Sequence, residues 1–323
     1  MSYNYDPELA DIVPSLPEGR LDDPVAARAS LSELLGPFNS NVDVSALDIT
    51  DQRVPGSSGA PDVGIRIYSS KQKASVSPGL LYIHGGGFVV GDIDTEHAGA
   101  ANIAEELSMV LVSVDYRLAP ENPYPAGLED CYASLVWMHE HASELGIDRE
   151  RIGVSGQSAG GGLSAALALM ARDRGGPGLC FQYLGMPELD DRLQTASMRE
   201  FTDTPMWTQA NAALSWRYYL GDEYKPGGEN VPIHAAPARA SVEDLKGLPP
   251  AYISAMEFDP LRDEGVLYAL TLLAAGVPVE LHAFPGTFHG SMLVRHAAVS
   301  RRQNAEMMEA LRRGLRHIDQ GDI

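Results

Sequence analysis

The sequence predicts an α/β protein with a mainly parallel central sheet and helices on both faces, and three observations carry that prediction. Short apolar or alternating runs recur along the chain, and helical patterns with apolar residues at three- and four-residue spacing follow them. The alternation lapses into an acidic, proline- and aromatic-containing stretch between Pro187 and Pro237. At 323 residues the chain can bury a large core, and one large domain with a small accessory part fits better than two equal domains. Its 44% hydrophobic and 21% charged content is ordinary for a folded chain, so disorder is not indicated.

Residues 1–40 are rich in proline and acid, carry one helical pattern over 24–35 (PVAARASLSELL), and read as an arm contributing to a cap. Residues 63–68 (VGIRIY) alternate as a half-buried strand does, whereas 80–83 and 110–114 are apolar runs suited to buried strands. Helices are predicted over 97–107, 128–141 and 161–172, and strands over 179–184, 251–254 and 279–284. A helix over 264–275 and a last long helix over 300–317 complete the pattern. The core therefore divides into residues 41–186 and 241–323, separated by an insertion at 187–240 with one helix over 209–220. Ordinary loops run to about 4 to 6 residues, so the insertion reads as a small helical cap. Function in such a sheet belongs at the carboxyl ends of the strands.

The formal charge is −20, with only four lysines, Lys71, Lys73, Lys225 and Lys246. That balance repels phosphate backbones and anionic lipid surfaces, so neither nucleic acid nor membrane partners are expected. No basic start leads into an apolar run, and no apolar run reaches the ~20 residues of a bilayer span, which predicts a cytoplasmic protein. Cys131 and Cys180 lie on different elements without metal-like spacing and read as reduced core residues. His139 and His141 flank Glu140 on a helix without the four-residue spacing of a zinc pair. His282 falls in a strand pattern, and His97, His296 and His317 fall in helices. The glycine clusters match neither a P-loop nor a dinucleotide fingerprint, so no metal and no cofactor is expected.

The chemistry concentrates in four segments. Residues 151–162 read RIGVSGQSAGGG, a β-branched run that breaks at Gly156-Gln157-Ser158-Ala159-Gly160 and continues as an alanine- and leucine-rich helix. A serine hydroxyl is a poor nucleophile, and a tight strand-to-helix turn presents it to a base and to amide donors. Gly156 and Gly160 leave room for that turn. After the strand at 80–83 comes His84-Gly85-Gly86-Gly87-Phe88, whose glycines can expose backbone N–H groups to an oxyanion. Acid and base should follow the serine in that order. The segment after AYISA offers Glu257, Asp259, Asp263 and Glu264. Asp259 is preferred because Pro260 ends the strand there, Glu257 is its nearest rival, and Asp263 and Glu264 suit the first turn of a helix. His289, on the glycine-containing loop after VELHAF, supplies the base.

Together His84 to Gly87, YRLAPE at 116–121, the elbow, DPLRDEG at 259–265 and His289-Gly290 resemble the hormone-sensitive-lipase-like family of α/β-hydrolases. GQSAGGG, PELDDRL, DTPMW, SWRYYLG and FPGTFHGS resemble its bacterial heroin esterase branch. The resemblance implies an α/β-hydrolase fold with a Ser158, Asp259 and His289 triad and oxyanion amides from Gly86, Gly87 and Ala159. It implies a serine carboxylesterase for small short-chain esters, acetyl to butyryl-like, with aryl and alkaloid acetyl esters among the candidates. A homodimer is an expectation of the same kind. Phe88, Met206, Trp207 and Trp216 are the candidate pocket residues for an apolar alcohol or aryl part. Position 157 is Gln where much of the family has Asp, Glu or Thr, and Ser291 stands where an aromatic is common. Amide or peptide hydrolysis would use the same triad, and a receptor, as the gibberellin receptor does, would use the scaffold without its base.

Overall fold

The most apolar runs take the middle of the sheet, because a strand covered on both faces can expose neither. The computed structural model describes residues 3–16, 19–57 and 59–316. Eight strands are present among them, β1 (Leu47–Val54), β2 (Val63–Ser70), β3 (Ser77–Ile83), β4 (Val110–Asp115), β5 (Ile147–Gln157), β6 (Phe181–Gly185), β7 (Ala251–Phe258) and β8 (Val279–Phe288). They form one sheet in the order β1-β2-β4-β3-β5-β6-β7-β8. The pairings β1 with β2 and β2 with β4 are antiparallel, and the remaining five are parallel.

The helices are α1 (Pro7–Ala10), α2 (Pro24–Ser40), α3 (His97–Glu106), α4 (Ala126–Glu140), α5 (Ala142–Leu145), α6 (Ala159–Asp173), α7 (Ala196–Glu200), α8 (Gln209–Leu220), α9 (Arg262–Ala274) and α10 (Ala298–Gly314). Alternate residues of β3 show how they cover the sheet. Leu81 and Ile83 join α4 and α6 on one face, while Leu80 and Tyr82 join α3 and α10 on the other. Helix α6 has no polar stripe near its start; every residue from Ala159 to Ala171 is buried. That is why the sequence from Ala159 to Ala171 carries small and apolar side chains without charge, which begins only at Arg172.

The predicted elements recur with shifted ends. Strand β1 had no counterpart in the pattern, since only Leu47 and Val54 of its eight residues are buried. It is an edge strand whose Asp51 pairs with Arg66, and charge on an exposed edge hides the alternation. Helix α2 continues past residue 35 through Pro37, starting from Asp23, whose carboxylate accepts the amides of Val25 and Ala26. Strands β7 and β8 both run longer than expected, so Asp259 and His289 each follow the last strand residue directly. His296 lies in the turn ahead of α10 rather than in a helix, because the helix begins only at Ala298. His317 and the end of the helix predicted over 300–317 lie outside the described residues. Cys131 is buried in α4, Cys180 sits just ahead of β6, and both are free thiols.

A tight backbone constraint on the sheet lies where α6 meets β3. A Cβ at Gly160 would stand 2.1 Å from the carbonyl oxygen of Ile83 and 2.6 Å from that of His84. Backbone cannot yield as a side-chain tip can. Gly160→Ala should therefore cost about 3 kcal/mol in urea unfolding, the upper end of what overpacking usually costs. A loss below about 1 kcal/mol would show that α6 is free to move away.

Candidate active site

Three loops at the carboxyl edge of the sheet converge. Ser158 links β5 to α6 at φ +57° and ψ −124°, a conformation that costs a side-chain-bearing residue energy and must be held by its surroundings. Its amide donates to Gly185 O at 2.8 Å, and its carbonyl accepts from Gly162 at 3.0 Å and Glu188 at 3.1 Å. A Cβ at Gly156 would meet Gly160 O at 2.2 Å, so both elbow glycines are required for space.

His289 Nε2 lies 3.0 Å from Ser158 Oγ, and His289 Nδ1 lies 2.7 Å from Asp259 Oδ2. The tautomer with its proton on Nδ1 satisfies both contacts: the ring donates to the carboxylate and accepts from the hydroxyl. Asp259 Oδ1 accepts the Leu261 amide at 2.9 Å, and the carboxylate is fully buried. Ser158 and His289 each keep 7% exposure, which is the opening through which a substrate could reach them. Such a series can pass a proton from hydroxyl to imidazole while the carboxylate balances the resulting charge.

The rival carboxylates are engaged elsewhere. Glu257 Oε2 accepts the Gly286 amide at 2.6 Å and braces the end of β8 ahead of His289. Asp263 accepts the Ser197 amide and pairs with Arg262. Glu264 is buried in the first turn of α9 and accepts the amides of Leu189 and Asp190.

The glycine loop stands opposite. Gly86 has φ +112° and Gly87 φ +56°, and Gly86 O accepts the amides of both Val89 and Val90. A Cβ at Gly86 would fall 2.1 Å from Val90 O, and one at Gly87 would fall 2.5 Å from Trp207 Cη2. Among the described residues the amides of Gly86, Gly87 and Ala159 donate to no protein group. They are available to a ligand. Gly85 is spent on packing, since a Cβ there would lie 3.0 Å from Gln157 O. Beneath the loop His84 stacks on Tyr116 at 4.1 Å and its Nδ1 donates to Gly85 O at 2.8 Å. Burial pushes the His84 pKa down to about 4.

The four aromatic and methionine candidates separate into two pairs. Trp207 stands 5.7 Å from the His289 ring, and the Met206 methyl lies 4.0 Å from the position of a Cβ on Gly290. Phe88 and Trp216 pack instead into the core with Tyr219, on which Phe88 stacks at 4.0 Å. Trp216 has no exposed surface. An aromatic on a helix flank carries the same letter whether it faces a pocket or a core, so the pattern could not separate them.

Gln157 turns away from the hydroxyl of its neighbour. Its side chain lies over Gly185, where a Cβ would stand 1.7 Å from Oε1, and its Nε2 reaches Met307 Sδ of α10 at 3.5 Å. Arg28 of α2 was not singled out by its sequence context. Its guanidinium donates to Val89 O at 2.8 Å and Ala119 O at 2.9 Å and pairs with Glu121, tying the arm to the glycine loop. Among the described residues no His, Cys, Asp and Glu cluster could hold a metal ion, and no helix is long and apolar enough to cross a membrane.

Residues 80–293 match the family model described as the alpha/beta hydrolase fold. The chain belongs to the α/β hydrolase family. It is 43% identical over 247 residues to a carboxylesterase of Mycobacterium tuberculosis, covering 74% of each chain. An arylesterase of Saccharolobus solfataricus is 35% identical, covering 70% of this chain and 74% of its own. Among solved structures, a bacterial heroin esterase superposes with a TM-score of 0.95 at 50% identity, covering 97% of this chain and 99% of that one. The hormone-sensitive-lipase-like resemblance holds, and the activity class is that of a carboxylic ester hydrolase.

Two outcomes follow for stability. Trp216→Ala should cost about 3–5 kcal/mol in denaturant unfolding, as a core truncation does, whereas a pocket residue would cost far less. For His84, the unfolded chain takes up a proton near pH 6.5 and the folded chain only near pH 4. Stability is therefore lost as pH falls through that interval. Between pH 6.5 and 5 the wild type should lose roughly 2 kcal/mol that His84→Gln does not lose, a difference read from paired urea titrations.

Proposed function

We propose that the protein is a serine carboxylesterase that hydrolyses small short-chain esters through an acyl-enzyme. Ser158 attacks the ester carbonyl, His289 takes its proton and later returns it to the leaving alcohol, and Asp259 orients and balances the imidazolium. The amides of Gly86, Gly87 and Ala159 receive the oxyanion. The observation that carries this reading is the unbroken series from Asp259 through His289 to Ser158, facing three amides that donate to no protein group. A binding protein on this scaffold would have no use for a base in register with the serine.

In the same reading residues 187–240, with the arm at 1–40, form the cap. Trp207 beside His289 and Ser215, whose hydroxyl donates to Gly87 O at 2.9 Å, support it. A site roofed this closely by Trp207 and Met206 suits an acetyl to butyryl group better than a long acyl chain, and it accommodates an aryl or polycyclic alcohol only toward its open side. Aryl and alkaloid acetyl esters are accordingly the substrates to try first.

Ser158→Ala should lower kcat for phenyl acetate by about 10^4-fold or more with the fold intact by circular dichroism, and turnover near the wild-type rate would end the proposal. Asp259→Asn should cost about 10^3-fold or more, and Glu257→Gln far less; the reverse order would make Glu257 the acid. Across a series of 4-nitrophenyl esters, kcat/KM should fall steeply beyond butyryl. A flat or rising series would remove the short-chain assignment.

A further inference from the structure

Behind the glycine loop lies a carboxyl group to which the proposed mechanism gives no part. Glu188 follows β6, and its backbone is committed to the elbow. Its amide donates to Ser158 O, and its carbonyl oxygen occupies the space that a Cβ on Gly162 would need, at 2.1 Å. Its side chain is wholly buried, and neither carboxyl oxygen completes a hydrogen bond among the described residues. A negative charge so placed is costly, and burial pushes the pKa of this group up to about 8. The groups that face it are Ser215 and Tyr219 on α8, Tyr116 beyond β4, Asp259 beyond β7 and Glu264 on α9. None of these is a cation.

Ser215 decides which protonation state fits. Its hydroxyl donates to Gly87 O at 2.9 Å, and a hydroxyl has one proton to give. Toward Glu188 it can offer only lone pairs, so the complementary partner is a neutral carboxyl that donates. The terminal torsion of a glutamic acid is soft, so the carboxyl can turn toward Ser215, a side chain that already faces it. An ionised Glu188 would instead compete with the Gly87 carbonyl for the Ser215 proton. Gly87 needs that restraint, because it and Phe88 are consecutive residues at positive φ, +56° and +61°, and phenylalanine does not hold such a conformation unaided.

We propose that Glu188 is a positioning residue for ester hydrolysis: as a neutral carboxyl it donates to Ser215, which donates to Gly87 O, and its ionisation in alkaline solution loosens the loop that carries the oxyanion amides. The inference rests on the reading of Gly86 and Gly87 as oxyanion donors. Ionised Glu188 also sets a negative charge behind a site where the reaction concentrates negative charge, which slows the same step.

The test compares the full-length wild type with Glu188→Gln, Glu188→Leu and Ser158→Ala on 4-nitrophenyl acetate from about pH 6 to about pH 10, with spontaneous hydrolysis subtracted. Wild-type kcat should fall as pH rises through about 8. Glu188→Leu should lower kcat about tenfold or more at neutral pH with KM within about twofold, and Glu188→Gln, whose amide donates at every pH, should recover most of that loss and lack the alkaline limb. A wild-type profile flat to pH 10, or the same alkaline limb in Glu188→Gln, overturns the role of Glu188. If Glu188→Leu does not fold, the comparison of wild type with Glu188→Gln still decides. Turnover retained by Ser158→Ala would mean that the catalytic reading itself has failed. Its loss alongside an unaltered Glu188→Gln profile would mean that only the positioning role has failed.

Discussion

The close approach of the first turn of α6 to the end of β3 is the contact on which the rest of this molecule depends. With glycine at 160 the helix backbone lies against the carbonyls of Ile83 and His84, where any side chain would hold the two apart. That approach brings the Ala159 amide to the glycine loop and leaves Ser158 to absorb the sharp change of direction at φ +57°. The surrounding hydrogen bonds to Gly185, Gly162 and Glu188 hold the strained residue in place. The fold therefore supplies the restraint, and the reactive geometry is its by-product.

Much of this was legible in the sequence because the chemistry recruits residues with few substitutes. A glycine forced by a backbone contact, a proline that ends a strand before an acid and a histidine between glycines each leave a visible letter at a fixed place. Ser158, Asp259 and His289 follow β5, β7 and β8 at one edge of the sheet, and Asp259 rather than Glu257 reaches the imidazole because β7 runs on to Phe258. What stayed hidden depends on facing. Strand β1 exposes charge along an edge, Trp216 of α8 points into the core whereas Trp207 just ahead of that helix stands beside His289, and Gln157 reaches back to α10 although its neighbour opens on the site. Glu188 was least legible of all. An acid among leucine, proline and aspartates reads as surface, and only the packing of α6, α8 and α9 around it makes it interior.

The segments around Ser158 are held by directional polar contacts as well as by apolar packing. Arg28 reaches the Val89 and Ala119 carbonyls from α2, Ser215 reaches the Gly87 carbonyl from α8, and the Asp6 amide donates to Gly286 O beside the His289 loop. Each takes a main-chain carbonyl, of a loop for Gly87, Val89 and Ala119 and of the irregular end of β8 for Gly286. Directional bonds of this kind fix a loop's position, whereas an apolar contact tolerates sliding. Helix α2 accordingly has no buried residue of its own and is still held at a defined place.

The contacts of the arm also couple two distant parts of the chain. Asp6 meets Gly286, and Glu8 accepts the amide of Ala298, a residue 290 positions away in sequence. His289 lies between those two anchor points. Removing the segment around α1 would therefore take both ties from the stretch between Gly286 and Ala298, and with them the restraint on its imidazole, while Arg28 would still hold the rest of the arm to the glycine loop.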